Sequence, residues 1–158
     1  MKKSTLIVAM CLGVFAGYSQ KVKEAEVPAA VKDAFKKQFP TAKVEAWEKE
    51  EAGYEAEFEN GKTEGTATYD LAGKLLETEM EIKVAELPKG VSEYITKNVA
   101  GKKIDEASKI TDGAGKVTFE AEVKKVEYIF DANGAFIKKV EPKKEEKDDD
   151  EKNEKKGK

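Results

Sequence analysis

The 158-residue chain has no histidine, no arginine and a single cysteine. Without imidazole there is no Ser–His–Asp triad and no histidine ligand for a metal. Beyond residue 19 the only serines are Ser92 and Ser108, and no spacing marks a Ser–Lys pair. The chain therefore reads as a non-enzyme with no cofactor, no catalytic residues and no metal ligands. Its longest apolar run, residues 6–15, is too short to cross a bilayer. With 29 lysines against 32 acids the net charge is −3. No basic surface is offered to phosphates, so nucleic acid is not an expected partner.

The start of the chain reads as an export signal. Lys2 and Lys3 precede the apolar run, and small residues with a polar break follow at Ala16, Gly17, Ser19 and Gln20. Residues 1–19 are assigned to a cleaved signal, which places the product in the periplasm or outside the cell. Cys11 falls inside it and sits in a poor lipidation context. The exported chain then has no cysteine, so packing alone must hold the fold in an oxidising compartment. It carries 27 lysines and a charge of −5, with no membrane span.

The same pattern occurs twice, sixty residues apart. Val27, Val31, Phe35 and Phe39 correspond to Leu87, Val91, Ile95 and Val99, an apolar stripe at helical period in each case. Pro28 and Pro88 suit a first helical turn. Pro40 stops the first helix, and Ala100-Gly101 stops the second. Alternation then predicts strands at 43–50, 54–59, 63–69 and 74–82, and again at 103–110, 116–123, 126–131 and 135–140. Asn60-Gly61 marks a hairpin in which both residues accept positive φ. The expected fold is α+β, two tandem units at 27–82 and 87–140. Each is one helix packed on a four-stranded antiparallel sheet. Linkers are expected at 20–26 and 83–86, and a charged, disordered tail at 141–158 in which fifteen of eighteen residues are charged. The expected state is a monomer.

Alternation also assigns faces. Tyr54, Ala56 and Phe58 point to the helix, so Glu55, Glu57 and Glu59 point to the open face. Thr66, Thr68, Glu77, Glu79 and Glu81 join them. On the first strand Glu45, Trp47 and Lys49 point outward, unless a bulge turns the indole inward. The first unit carries a charge of −6 and the second +2, an asymmetry that steers a cationic partner. The Glu rows equally serve plain solubility of a bare sheet face. Asp131-Ala132-Asn133-Gly134 lacks the ligand alternation of a calcium loop, and its twin Asp70-Leu71-Ala72-Gly73 reads as a hairpin turn.

The Val-Pro and Leu-Pro helix openings, the segment Lys43-Val44-Glu45-Ala46-Trp47-Glu48-Lys49, the strand Tyr54-Glu55-Ala56-Glu57-Phe58 and the turn Tyr69-Asp70…Gly73-Lys74 resemble the PepSY-like family, also called β-lactamase-inhibitor-like. The resemblance covers about residues 27–140 in two copies. It implies an exported bacterial protein that binds another protein through a concave sheet face. The absence of cysteines and the shortage of exposed aromatics depart from the inhibitor pattern and argue against β-lactamase inhibition itself. The leading expectation is a protein- or peptide-binding module for an envelope partner with a basic patch. Trp47 would be the apolar anchor, with Glu45, Lys49, Glu55, Glu57, Thr66, Thr68 and Glu79 around it. The alternative is a divalent-cation-binding periplasmic protein using the Glu rows.

Overall fold

The computed structural model describes residues 19–99 and 103–141. The signal expected at 1–19 lies outside them except for Ser19. The helix stop at Ala100-Gly101 and the tail beyond Glu141 lie outside them as well. Strand β1 (Gln20–Val22) opens the fold and a 3-10 turn (Glu24–Glu26) leads into helix α1 (Ala29–Gln38). Strands β2 (Lys43–Lys49), β3 (Tyr54–Asn60), β4 (Thr63–Tyr69) and β5 (Leu75–Glu81) follow. A second 3-10 turn (Val84–Glu86) leads into α2 (Lys89–Asn98), then β6 (Glu106–Asp112), β7 (Val117–Val123), β8 (Val126–Asp131) and β9 (Phe136–Val140). All nine strands form one antiparallel sheet in sequence order. No helix among the described residues is long and apolar enough to cross a membrane.

The helices begin and end as their side chains dictate. Pro28 and Pro88 sit just before the helices in extended backbone, and the Pro28 carbonyl accepts the amides of Val31 and Lys32. At the other end the Phe39 amide closes on the Phe35 carbonyl, and Pro40 cannot continue the helix. Val99 closes on Ile95 in the same way. Each 3-10 turn is locked alike: Glu26 accepts the Lys23 amide at 2.9 Å, and Glu86 accepts the Lys83 amide at 2.9 Å.

Each helix lies over a pair of facing alanines, Ala56 with Ala67 and Ala107 with Ala121. The small side chains let the helix approach closely, and larger ones fill the flanks. In the first core Phe35 meets Trp47 edge-on at 5.8 Å and Phe58 at 5.2 Å, with Phe39 against Phe58 at 4.5 Å. The second core is more aliphatic, with Val91, Ile95 and Val123 buried. At its margin Tyr94 stacks on Phe136 at 4.4 Å. The β4–β5 turn presses on the start of α1. Gly73 has φ +81°, and a methyl there would stand 2.5 Å from the Ala30 carbonyl oxygen.

Several expectations change. Residues 20–26, read as a linker, supply an edge strand and a 3-10 turn, with Val22 opposite Trp47. The sheet is continuous, because β5 pairs with β6 from Glu77–Asp112 to Glu81–Ser108. Five strands precede α2 and four follow it, in place of four in each unit. The strand expected at 103–110 begins only at Glu106. In the hairpin after β3, Asn60 still pairs with Thr63, and Gly61 alone of the Asn-Gly pair takes positive φ.

Trp47 is the largest correction. Val44 pairs with Phe58 and Ala46 with Glu57, so Glu45 is an extra, unpaired residue. That bulge shifts the alternation by one position. Trp47 then pairs with Ala56 and lies 5% exposed beside Phe35 under α1. It cannot anchor a partner.

A buried indole should emit at short wavelength, resist collisional quenchers and shift red on unfolding. With that signal, Phe35→Ala is expected to lower stability in urea by about 3–5 kcal/mol. A red-shifted, readily quenched native emission would contradict this core.

Candidate functional site

The face of the sheet away from the helices carries the other half of every strand's alternation. Glu48, Glu55, Glu57, Thr66, Thr68, Glu77 and Glu79 stand on it in the first half. Ser108, Ile110, Glu120, Glu122, Glu127, Ile129 and Lys138 continue it in the second. Among the described residues no helix packs there, yet Glu55 is only 7% exposed and Glu79 only 4%. Curvature of the sheet explains this burial. In a flat sheet β5 and β9 would be four spacings apart, about 19 Å. Glu77 on β5 nonetheless interacts with Lys138 on β9, and Glu79 on β5 with Glu127 on β8. The sheet curls away from the helices, so side chains on this concave face converge and cover one another.

The residues expected at a site divide between two environments. Glu55, Thr66, Thr68 and Glu79 are buried on the concave face, and Glu57 is half-buried beside them. The Thr68 hydroxyl donates to Glu55 at 3.1 Å. Glu45 and Lys49 are exposed on β2, and Glu45 lies 3.9 Å from Lys43. Trp47 is on the opposite side of the sheet. The face expected to be open is therefore a lined trough, and its carboxylates are shielded from bulk water.

Burial sets the electrostatics. Desolvation pushes Glu55 up to about 8. The Thr68 hydrogen bond works against that, while Glu50, Glu79 and Glu48 reinforce it. Glu79 is raised by burial and by Glu77 and Glu127, with a Ser108 hydrogen bond opposing. Glu127 is pushed up to about 7 by burial, then by Glu122, with Lys138 opposing. Burial also raises Glu57, Glu77 and Glu122. Near neutral pH the trough thus holds protons that ordinary surface carboxylates would have lost. Lys21 reaches Glu48 at 3.9 Å from the edge strand, and the Ser19 hydroxyl donates to the same carboxylate.

The first-half focus of the sequence reading missed Glu120, Glu127, Ile110, Ile129 and Lys138. The signal was present in Phe119-Glu120-Ala121-Glu122-Val123, which alternates as Tyr54-Glu55-Ala56-Glu57-Phe58 does. The +2 charge of the second half hid it, because that sum does not distinguish one sheet face from the other. Among the described residues no group of three acids is placed to hold a metal ion. The three Asp turns are structural. Oδ1 of Asp70, Asp112 and Asp131 each accepts two backbone amides of its own turn at 2.8–2.9 Å.

One curled antiparallel sheet, backed by two helices and acidic on its bare face, defines an α+β class of helix-backed sheet proteins. The family model described as "Putative beta-lactamase-inhibitor-like, PepSY-like" matches residues 17–77 and, in an overlapping segment, residues 54–138; the chain belongs to this family. Crystal structures share the fold. One is a DUF2874 family protein from Bacteroides uniformis ATCC 8492, with TM-score 0.65 and 20% identity over 72% of this chain and 88% of that one. A second, from Bacteroides eggerthii DSM 20697 and described as "putative periplasmic", has TM-score 0.65 and 17% identity over 72% and 88%. A BLIP-like protein from Bacteroides fragilis NCTC 9343 has TM-score 0.60 and 21% identity over 72% and 85%. No curated protein matches the chain.

The raised carboxylates make stability pH-dependent. Glu55 takes up its proton near pH 8 when folded and near its ordinary 4.5 when unfolded. Between these values the native state binds more protons, so stability is greatest in acid and falls as pH rises toward 8. The melting temperature should drop by on the order of 10 °C between about pH 5 and about pH 8. Glu55→Gln should flatten the slope and raise stability at the alkaline end. A melting temperature that climbs over this range would refute the buried state of the trough.

Proposed function

We propose that the chain is an exported, non-enzymatic module that binds a protein or peptide bearing a basic patch, with the concave sheet face as its contact surface. One observation carries this reading. The face gathers buried carboxylates from β3, β5, β7 and β8, and Glu77 Oε2 and Glu127 Oε2 have no hydrogen-bond partner there. Buried acceptors without donors are costly, and a ligand supplying cations and N–H groups removes that cost. The export pattern of residues 1–19 and the description of the Bacteroides eggerthii chain support a periplasmic setting. The family's inhibitor-like description agrees with a protein partner. We read the chain as two related units, 27–82 and 87–140, joined through their sheets.

Divalent-cation binding has less support. The turn aspartates are committed to backbone amides, and no three acids among the described residues are placed around a common point. The contact differs from the one expected from sequence, because Trp47 lies beside Phe35 under α1 and supplies it no apolar anchor.

Fluorescein-labelled octalysine tests the reading with the exported chain. Anisotropy at about pH 8 should show binding in low salt that weakens at least about tenfold near 0.5 M salt. Glu55→Gln combined with Glu79→Gln should weaken it several-fold. Neutralising the acids on the helices, Asp33→Asn with Glu93→Gln, should not. Equal losses in the two double variants, or no binding in low salt, would overturn the assignment of this face.

A further inference from the structure

The two halves agree beyond their helices. Lys23, Ala25, Glu26 and Pro28 recur sixty residues on as Lys83, Ala85, Glu86 and Pro88. The strand ahead of them recurs as well. Gln20, Lys21 and Val22 of β1 correspond, at the same offset, to Met80 and Glu81 at the end of β5 and to Ile82 just beyond it. The pairing follows suit. Gln20 faces Lys49 as Met80 faces Lys109, and Lys21 faces Glu48 as Glu81 faces Ser108. Val22 faces Trp47, and the Ile82 amide donates to the Ala107 carbonyl at 2.9 Å. Strand β1 is thus the first half's copy of the strand that joins the two halves.

The copies differ in where they start. Strand β5 runs back to Leu75, while β1 begins at Gln20. Gln20 directly follows Ser19, and Gly17 and Ser19 are the small residues that a signal peptidase needs ahead of its cut. Cleavage after Ser19 therefore keeps β1 whole and leaves Gln20 as its first residue. The export pattern and the start of the edge strand coincide at one peptide bond.

We propose that Gln20 becomes the first residue of the exported chain and closes to pyroglutamate, a modified terminus at the end of the edge strand. The inference rests on the export reading of residues 1–19 and is independent of the contact face. The reaction needs no second reactant. The unprotonated α-amine attacks Cδ of its own side chain. An N–Cδ bond forms, the Cδ–Nε2 bond breaks, and Nε2 leaves with one amine proton as ammonia. Amine and amide belong to one residue, so closing the five-membered ring is an intramolecular step. Gln20 is exposed, which leaves its side chain room to turn back.

The surroundings of β1 favour the product. A free α-ammonium would stand next to Lys21 and opposite Lys49, and the neighbouring Glu48 carboxylate already has Lys21 at 3.9 Å. Cross-strand groups of one sign repel. The lactam is neutral and keeps one N–H. It also offers no amine to an aminopeptidase. Trimming of Gln20, Lys21 and Val22 would strip the strand that pairs with Trp47 and take Val22 from the margin of the first core.

The test is mass spectrometry of the chain expressed with its leader in a Bacteroides host, the genus of the similar structures. The expected product is residues 20–158, lighter than the unmodified sequence by one ammonia, about 17 Da. Its N-terminus should resist Edman degradation until pyroglutamyl peptidase is added, after which the read begins at Lys21. Gln20→Asn, whose shorter side chain cannot close the five-membered ring, should keep a free amine. An aminopeptidase should trim that variant and leave the wild type intact. A free Gln20 amine, or a terminus at any other residue, would overturn the proposal. Equal trimming of the two chains would overturn it too. The wild-type mass and Edman read decide alone if the variant is not exported.

Discussion

The structure depends on the curl of a single antiparallel sheet away from its two helices. Strand alternation alone would leave one side packed and the other wet. Curling spreads the side chains on the helix side, where α1 and α2 settle over Ala56–Ala67 and Ala107–Ala121. It gathers those on the other side, where Glu79 and Glu127 come within electrostatic reach across three strand spacings. One deformation therefore makes room for the helices and builds the acidic trough. The same deformation shields the trough carboxylates, which raises their proton affinity.

What could be read from the sequence was what depends on near neighbours in the chain. The stripe Val31–Phe35 and its counterpart Val91–Ile95 gave both helices, and the alternation from Tyr54 to Phe58 placed Glu55 and Glu57 on the face away from α1. The fate of Trp47 was not legible, because one unpaired residue at Glu45 inverts every later position on β2. An indole suits a core as well as a surface, so the residue type gave no warning. That two such small units would pack or pair sheet edges could be expected from their size, but which strands meet could not, since β5 and β6 are separated by α2. The depth of the trough was hidden for a further reason. A glutamate that curvature buries has the same local sequence as one left in water.

The charge asymmetry of the two halves looks different once the faces are known. The second half sums to +2, yet its concave side presents Glu120, Glu122 and Glu127 with Lys138 as counter-charge, while Lys109, Lys124 and Lys125 are exposed elsewhere. A sum over a segment averages two surfaces that never meet the same partner. The acidic surface therefore spans both halves, and the boundary at α2 divides the helices without dividing the face.

Like charges stand directly opposite one another along this sheet: Glu48 with Glu55, Glu59 with Glu64, Glu77 with Asp112, and Glu122 with Glu127. Cross-strand pairs of one sign are destabilising when ionised. The free protein relieves the strain by keeping protons on its most buried members, Glu55 and Glu127 among them. A proton satisfies the charge but leaves Glu77 Oε2 and Glu127 Oε2 without a donor. A cationic side chain supplies both at once, which a neutral or anionic ligand cannot do. The cationic partner proposed above and the pH response rest on the same burial, so the two properties should rise or fall together in any variant that opens the sheet.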